Sequence, residues 1–346
     1  MRRVAALAFA LTACSAPAQI RDLRAAESYE AAGQHKHALQ AYRAAQQSCR
    51  EVSSKRKRRQ ACAAAHLQHA ELLAAIGRTR EAVTAYHKTE TVLSDNPEAS
   101  ARASFASALL YEQLGDDEAH YKYLWRTITH YPNQEFAADA CKRLLFGGRK
   151  RAPKQLRTAF YGLVGPLANT KIADNLLEAL AELEEVEFQS PKTALHYYDL
   201  LIETHPTSGF YDDALWHGAR LSRSLDDAAG AVRRLRQLLK TRVVALGAGS
   251  YFSVWLDNAQ LELGIVLRDD LRDYDGAIKA FTTLPSHYPA SILKDDALFE
   301  RAVAKAKAGR KNDACKDLTK LQSKYNDSKY EIERAPQLRT ALGCTQ

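Results

Sequence analysis

Residues 31–42 read A-A-G-Q-H-K-H-A-L-Q-A-Y, and residues 75–86 read A-I-G-R-T-R-E-A-V-T-A-Y. Both carry a Gly, an Ala five residues later and a Tyr four residues beyond that: Gly33, Ala38, Tyr42 and Gly77, Ala82, Tyr86. The register also runs backwards, because an Ala stands seven residues before each Gly, at Ala26 and Ala70. Ala108 precedes Gly115 in the same way, and Ala302 precedes Gly309. After Gly309 come Ala314 and Leu318, whereas after Gly115 the pattern fits with one residue deleted, giving Ala119 and Tyr123. A Gly at the end of a helix supplies the positive φ that reverses the chain. Small residues on both sides of the reversal let two antiparallel helices cross closely, and the bulky residue four places on fills the gap beyond the crossing. The spacing therefore predicts a series of helix pairs.

Pro97, Pro132, Pro206 and Pro289 close several of these units, since Pro cannot continue a helix and resets the chain for the next one. Weaker units lie around Ala194–Tyr198 and Ala231–Leu235, and another around L-R-D-Y-D-G-A-I-K-A-F at 271–281. Ser190-Pro191 reads as a helix N-cap followed by the first helical residue. Three segments share a more specific pattern, H-Y-P-N-Q-E-F-A-A-D-A-C-K-R-L (130–144), H-P-T-S-G-F-Y-D-D-A-L-W-H-G-A (205–219) and H-Y-P-A-S-I-L-K-D-D-A-L-F-E-R-A (287–302).

These spacings resemble the tetratricopeptide repeat, with Tyr29 and Tyr111 at the family's aromatic position in the first helix. The Tyr-Pro sub-pattern looks like the subclass found in bacterial envelope lipoproteins. Examples are the repeat lipoprotein of the outer-membrane β-barrel assembly machinery and the Tol-associated cell-division coordinator. The resemblance implies an all-α fold, a right-handed superhelix or α-solenoid of about seven or eight helix pairs. It also implies a groove lined by first helices that binds protein segments. Repeat register turns Leu67, Glu71, Phe105, Leu109, Phe299 and Val303 toward that groove.

The composition agrees with a helical chain. Gly and Pro are scarce, at 16 and 10 of 346 residues, and 46% hydrophobic content argues against wholesale disorder. The formal charge is +8 and is blocky. Residues 50–59 carry six positive charges and one negative, 142–157 carry seven positive and none negative, and 174–187 carry six negative and none positive. No aromatics interleave the basic blocks as a single-strand nucleic-acid platform requires, so nucleic acid is not an expected partner and solvated surfaces are.

The first residues add a location. Arg2-Arg3, a short apolar run and small residues form a secretory signal. Leu11-Thr12-Ala13-Cys14 resembles a bacterial lipobox, in which the Cys thiol takes a diacylglycerol and the new amine is acylated. The competing reading is an A-x-A cut after Ala16-Pro17-Ala18, which would release a soluble protein. Lipidation of Cys14 is the preferred reading, and Ser15 after it points, by the same resemblance, to the outer membrane. The organisation expected is a signal peptide over 1–13, a tether over 14–19 and a repeat array over 20–146. A basic linker or kink follows over 147–172, marked by Gly147-Gly148, Pro153 and a turn at Gly165-Pro166, and then a second array over 173–346.

With Cys14 lipidated, five Cys remain in an oxidising compartment. Cys49 ends one predicted helix and Cys62 opens the next, so an antiparallel pair can join them; Cys315 and Cys344 can tie the last helix to the last repeat. Cys141, left over on an apolar helix face, reads as a buried free thiol. Cys62, His66 and His69 share one helix face and are metal-ligand types, but the repeat register uses both His positions for packing, so no metal is expected. The motifs of Ser hydrolases, zinc peptidases and nucleotide-binding loops are absent, and L-G-A-G-S-Y at 246–251 reads as a loop. The expectation is a lipid-anchored, non-catalytic scaffold without cofactors. It would face the periplasm from the outer membrane and bind other envelope proteins or peptide segments. The alternatives are a soluble periplasmic adaptor or regulatory subunit, and a peptidoglycan or polyanion binder acting through the basic blocks.

Overall fold

The computed structural model describes residues 17–49, 56–248 and 253–344, and all regular structure among them is helical. It forms two compact units, one up to Leu176 and one from Leu177. The first holds the pairs α1 (Ala18–Ala31) with α2 (His35–Gln47), α3 (Arg56–Ala75) with α4 (Thr79–Val92), and α5 (Pro97–Gln113) with α6 (Asp117–His130). α7 (Glu135–Arg151) and α8 (Pro153–Leu167) follow, and the division falls inside α9 (Ala173–Val186). The second unit continues through α10 (Pro191–Thr204). Its next pairs are α11 (Tyr211–Ser224) with α12 (Ala228–Ala248), α13 (Leu256–Asp269) with α14 (Tyr274–His287), and α15 (Lys294–Lys307) with α16 (Lys311–Lys324). Two short helices, α17 (Lys329–Glu333) and α18 (Ala335–Leu342), end it. Each unit is a stack of helix pairs, so the chain is all-α and of the α-solenoid class.

The crossings lie where the spacing put them. Ala26, Ala38, Ala70, Ala82, Ala302 and Ala314 are fully buried, and so are Tyr42 and Leu318. Gly33, Gly77, Gly115 and Gly309 sit at φ of 70°, 78°, 72° and 76°, the left-handed conformation that ends the first helix of each pair. Asp226 and Arg272 hold the same conformation at the corresponding reversals of the second unit, at φ 61° and 55°. Ala194, Ala231 and Leu235 are also fully buried, so the weaker units use the same packing. At α13 the small residue is Gly264, where a Cβ would collide with the Phe281 ring.

The one-residue deletion after Gly115 is not what folds. His120 and Leu124, five and nine residues after Gly115, fill the buried positions, while Ala119 and Tyr123 are only half-buried. A His fits the crossing because its Nδ1 donates to the Ala108 carbonyl at 2.8 Å, which satisfies the buried ring.

The expected kink at Gly147-Gly148 is also corrected. α7 runs through both glycines to Arg151, and Pro153 is the first residue of α8. The glycines serve close packing: a Cβ on Gly147 would strike the Tyr121 hydroxyl, and one on Gly148 would press on Leu156. Gly165-Pro166 lies within α8, and residues 147–172 belong to the first unit. At the start, α1 begins at Ala18, so helix replaces the last two residues of the expected tether. Residues 1–16, including Cys14, lie outside the described residues, as do 50–55 in the first basic block and 249–252, so of the expected 246–251 loop only 246–248 are described, and they are the last residues of α12 rather than loop.

Two disulfides are present among the described residues, Cys49–Cys62 and Cys315–Cys344, with Cα atoms 5.7 and 5.5 Å apart, inside the range a disulfide spans without distortion. Cys141 is free and buried, and burial followed by the charge of Asp174 pushes its thiol up to about 12, so it stays protonated.

Replacing Ala70 by Leu inserts three carbons into a fully buried crossing. We expect a loss of about 1–3 kcal/mol, read as a lower urea midpoint with an unchanged circular dichroism spectrum. A midpoint equal to wild type would mean that helix spacing does not depend on this residue.

Candidate functional site

In a stack of helix pairs, the first helices of successive pairs lie side by side and present one row of side chains. In the first unit α3, α5 and α7 form such a row. Arg102 on α5 reaches back to Glu71 on α3 at 2.6 Å. The Phe105 ring tilts against Phe136 of α7 at 5.8 Å, with the Arg143 guanidinium 6.0 Å from its centroid. Phe146 is 48% exposed one turn along, and an open cavity of about 550 Å³ lies among Phe105, His120, Tyr121 and these side chains. Part of the second basic block holds helices together: Arg143 pairs with Glu112 at 3.2 Å and Arg151 with Asp117 at 2.8 Å. Exposed pairs of this kind contribute little energy.

Of the six residues expected to face a groove, Glu71, Phe105 and Leu109 on α3 and α5 and Val303 on α15 are half-buried. Leu67 and Phe299 are not available, at 8% and 3% exposure. Leu67 belongs to the core that α1 to α5 build together. Phe299 stacks on Tyr330 of α17 at 4.9 Å, with Arg334 5.2 Å above its ring, so the terminal helices cover the place where another repeat would leave it open.

The second unit has a different row. Asp213, Trp216 and Arg220 lie along α11, and Leu261 and Ile265 along α13, all half-buried except Arg220, which is exposed. Trp216 occupies the register of Leu67, Phe105 and Phe299, three residues before the small residue Ala219, a signal the sequence held and that the groove expectation did not use. Trp216 stacks on Trp255 at 5.2 Å, and the Trp255 Nε1 donates to Asp213 at 2.5 Å. Glu185 of α9 accepts from the Tyr198 hydroxyl at 3.0 Å and meets the His217 Nδ1 at 3.0 Å. Burial alone would raise Glu185, but the His217 bond and charge and the Tyr198 bond outweigh it and hold the carboxyl below its ordinary value.

Glu178 goes the other way. Its Oε2 is buried with no hydrogen-bond partner among the described residues. Burial, then the charges of Asp213, Glu182, Glu185 and Asp212, raise it to about 8. It is therefore largely protonated at neutral pH in a strip that is otherwise anionic and aromatic. Such a strip suits a segment carrying Lys or Arg beside apolar side chains, because the cation finds carboxylates and indole faces together.

The metal reading of Cys62, His66 and His69 fails on its own residues. Cys62 is spent in the disulfide with Cys49, both His rings are buried, and among the described residues no three His, Cys, Asp or Glu are grouped to hold an ion.

Residues 258–291 and 296–328, the pairs α13/α14 and α15/α16, match the family model described as Tetratricopeptide repeat. Two segments of the second unit thus match the tetratricopeptide repeat, a repeat type that generally serves protein binding. No curated protein matches the chain in sequence. Solved structures similar to it include the tetratricopeptide repeat protein from Parabacteroides merdae, with 17% identity over 70% of this chain and 92% of that one at a TM-score of 0.39. PilW, described as a widely conserved type IV pilus biogenesis factor, shares 14% identity over 78% of this chain and 96% of that one, at 0.36. MamA shares 18% over 51% of this chain and 91% of that one, at 0.40.

Glu178 sets a pH dependence whose sign is fixed. Its folded value lies above the unfolded one, so between about pH 4.5 and 8 the folded state keeps a proton that the unfolded state releases. The contribution of this site to stability is present at low pH and is lost as pH rises through 8. Glu178→Gln removes that dependence. Urea unfolding followed by indole fluorescence should show a flatter midpoint from pH 5 to 8 in the variant; parallel curves for the two proteins would contradict the shift.

Proposed function

We propose that this chain is a non-catalytic, lipid-anchored tetratricopeptide scaffold that binds other envelope proteins from the periplasmic side of the outer membrane. The observation that carries the scaffold reading is the first-helix row of each unit. Half-buried aromatics stand there beside charged side chains, Phe105 and Arg143 in the first and Trp216 and Asp213 in the second. Such rows hold an extended or helical segment by apolar anchors and orient it by charge.

Two observations support the location. Disulfides persist in oxidising compartments, and this chain has Cys49–Cys62 and Cys315–Cys344. The lipobox-like Leu11-Thr12-Ala13-Cys14 ends four residues before α1 begins at Ala18. An acylated Cys14 would then hold the first repeat near the bilayer surface, and two or three chains on one residue anchor firmly where a single chain does not.

Mass spectrometry of the mature N-terminal peptide should find the acyl chains on Cys14. An unmodified thiol, or an N-terminus at Gln19, would replace the anchored scaffold by a soluble adaptor. For the binding surface, a photo-crosslinking amino acid at Phe146 or Arg220 should give discrete adducts in intact envelopes. The same group at the exposed Lys240 on the second helix α12 should not, and adducts from Lys240 alone would refute the assignment of the binding row.

A further inference from the structure

Away from the first-helix rows, the second helices of the first two pairs flank a cavity of about 520 Å³. Its walls include Arg43 and Gln47 of α2, His66 and His69 of α3, and Glu81 and Lys88 of α4. The two imidazoles are 4% and 7% exposed, and the Nε2 of His69 is buried without a hydrogen-bond partner among the described residues. A buried ring nitrogen left unpaired is costly and is rare in folded proteins.

The charges around these rings decide what could pair with them. Glu81, the one carboxylate among the described residues of the wall, is bound by Arg78 at 2.6 and 2.5 Å, a bond that holds it below its ordinary value. Arg43 and Lys88 have no ion pair or hydrogen bond among the described residues. Tyr42 of α2 meets His69 edge-on at 6.5 Å, and its hydroxyl donates a hydrogen bond to Glu30 of α1. The uncompensated charge at the cavity is therefore positive. Burial first, then Lys88, lowers His66 to about 4; burial, then Arg43, His66, Lys88 and Arg78, lowers His69 to about 4. A metal cation would meet two unpaired cations here and only two imidazoles, with Cys49 and Cys62 closed in their disulfide.

We propose that this cavity is a binding site for a phosphoryl group, with Arg43 and Lys88 supplying charge and His66, His69 and the Gln47 amide supplying donors. Two fixed cations and two imidazoles that can each accept a proton suit a group of charge near −2 better than a single carboxylate. The volume exceeds that of a free phosphate ion and leaves room for the organic part of a phosphate ester. The group can thus come from free phosphate esters or from a lipid headgroup. The anion counters both the burial and the neighbouring positive charges that lower the two rings, so bound phosphoryl raises them and draws protons onto them.

The test uses the full chain, with Cys14→Ser in the vesicle arm so that no acyl chain drives binding. Imidazole nitrogen NMR at pH 7 reads His66 and His69 directly, with inorganic phosphate as one probe and vesicles containing phosphatidic acid, whose headgroup is a phosphomonoester, as the other. Saturable movement of both rings toward the imidazolium shift is expected with at least one probe. Movement with phosphate assigns a free source, and movement with vesicles alone assigns the headgroup. The exposed pair Arg43→Gln and Lys88→Gln should weaken the response at least tenfold while circular dichroism and both disulfides stay unchanged. Three results would overturn the proposal: neither probe moves the rings, the double variant responds like wild type, or zinc moves them at stoichiometric concentration in place of phosphate.

Discussion

The structure rests on the close crossing of two helices over small side chains. Ala26 against Ala38, Ala70 against Ala82 and Ala302 against Ala314 are buried without remainder, and a bulky residue, Tyr42, Tyr86 or Leu318, seals each gap. Packed interiors do not tolerate extra methylenes, so this contact fixes how near the two helices lie. A left-handed residue at the reversal is its necessary partner, because only a tight turn brings the second helix back over the first. Once one pair is formed, its neighbour can only lie alongside, and a stack follows.

The first-helix row is a by-product of that stacking, and the same geometry carries different chemistry in the two units. In the first, Phe105, Phe136 and Phe146 stand among arginines. In the second, Trp216 and Trp255 stand among carboxylates, with Glu185 and Asp213 each held by a hydrogen bond. A stack built this way can present two chemistries without changing its fold, since the residues that set the crossing are not the residues that line the row.

Desolvation acts on both units with opposite sign. It lowers His66 and His69 and raises Glu178, and in each case neighbours of like charge add to the shift. All three groups are held near their uncharged forms at neutral pH by burial, and the two imidazoles line a cavity with room for a counter-charge. Ionisable groups kept neutral in partly open surroundings mark places where a charged ligand changes the protonation state on arrival.

The sequence by itself determined the helix pairs. Gly33, Gly77, Gly115 and Gly309 and the alanines around them could be read from spacing, because a left-handed turn and a tight crossing each admit few residue types. The two cysteine pairs could be named for a related reason, as each lies at facing ends of neighbouring helices. Other features depended on contacts that spacing does not encode. His120 replaced an expected Ala because a carbonyl was in reach of its ring, and Gly147-Gly148 continued a helix because Tyr121 and Leu156 needed the space. Leu67 and Phe299 left the groove because neighbouring helices covered them, while Trp216, in the same register, stayed half open. Register fixes the direction in which a side chain leaves its helix. Whether that direction ends in core, in a cavity or in solvent is set by what the next pair brings against it, and only the tertiary structure holds that information.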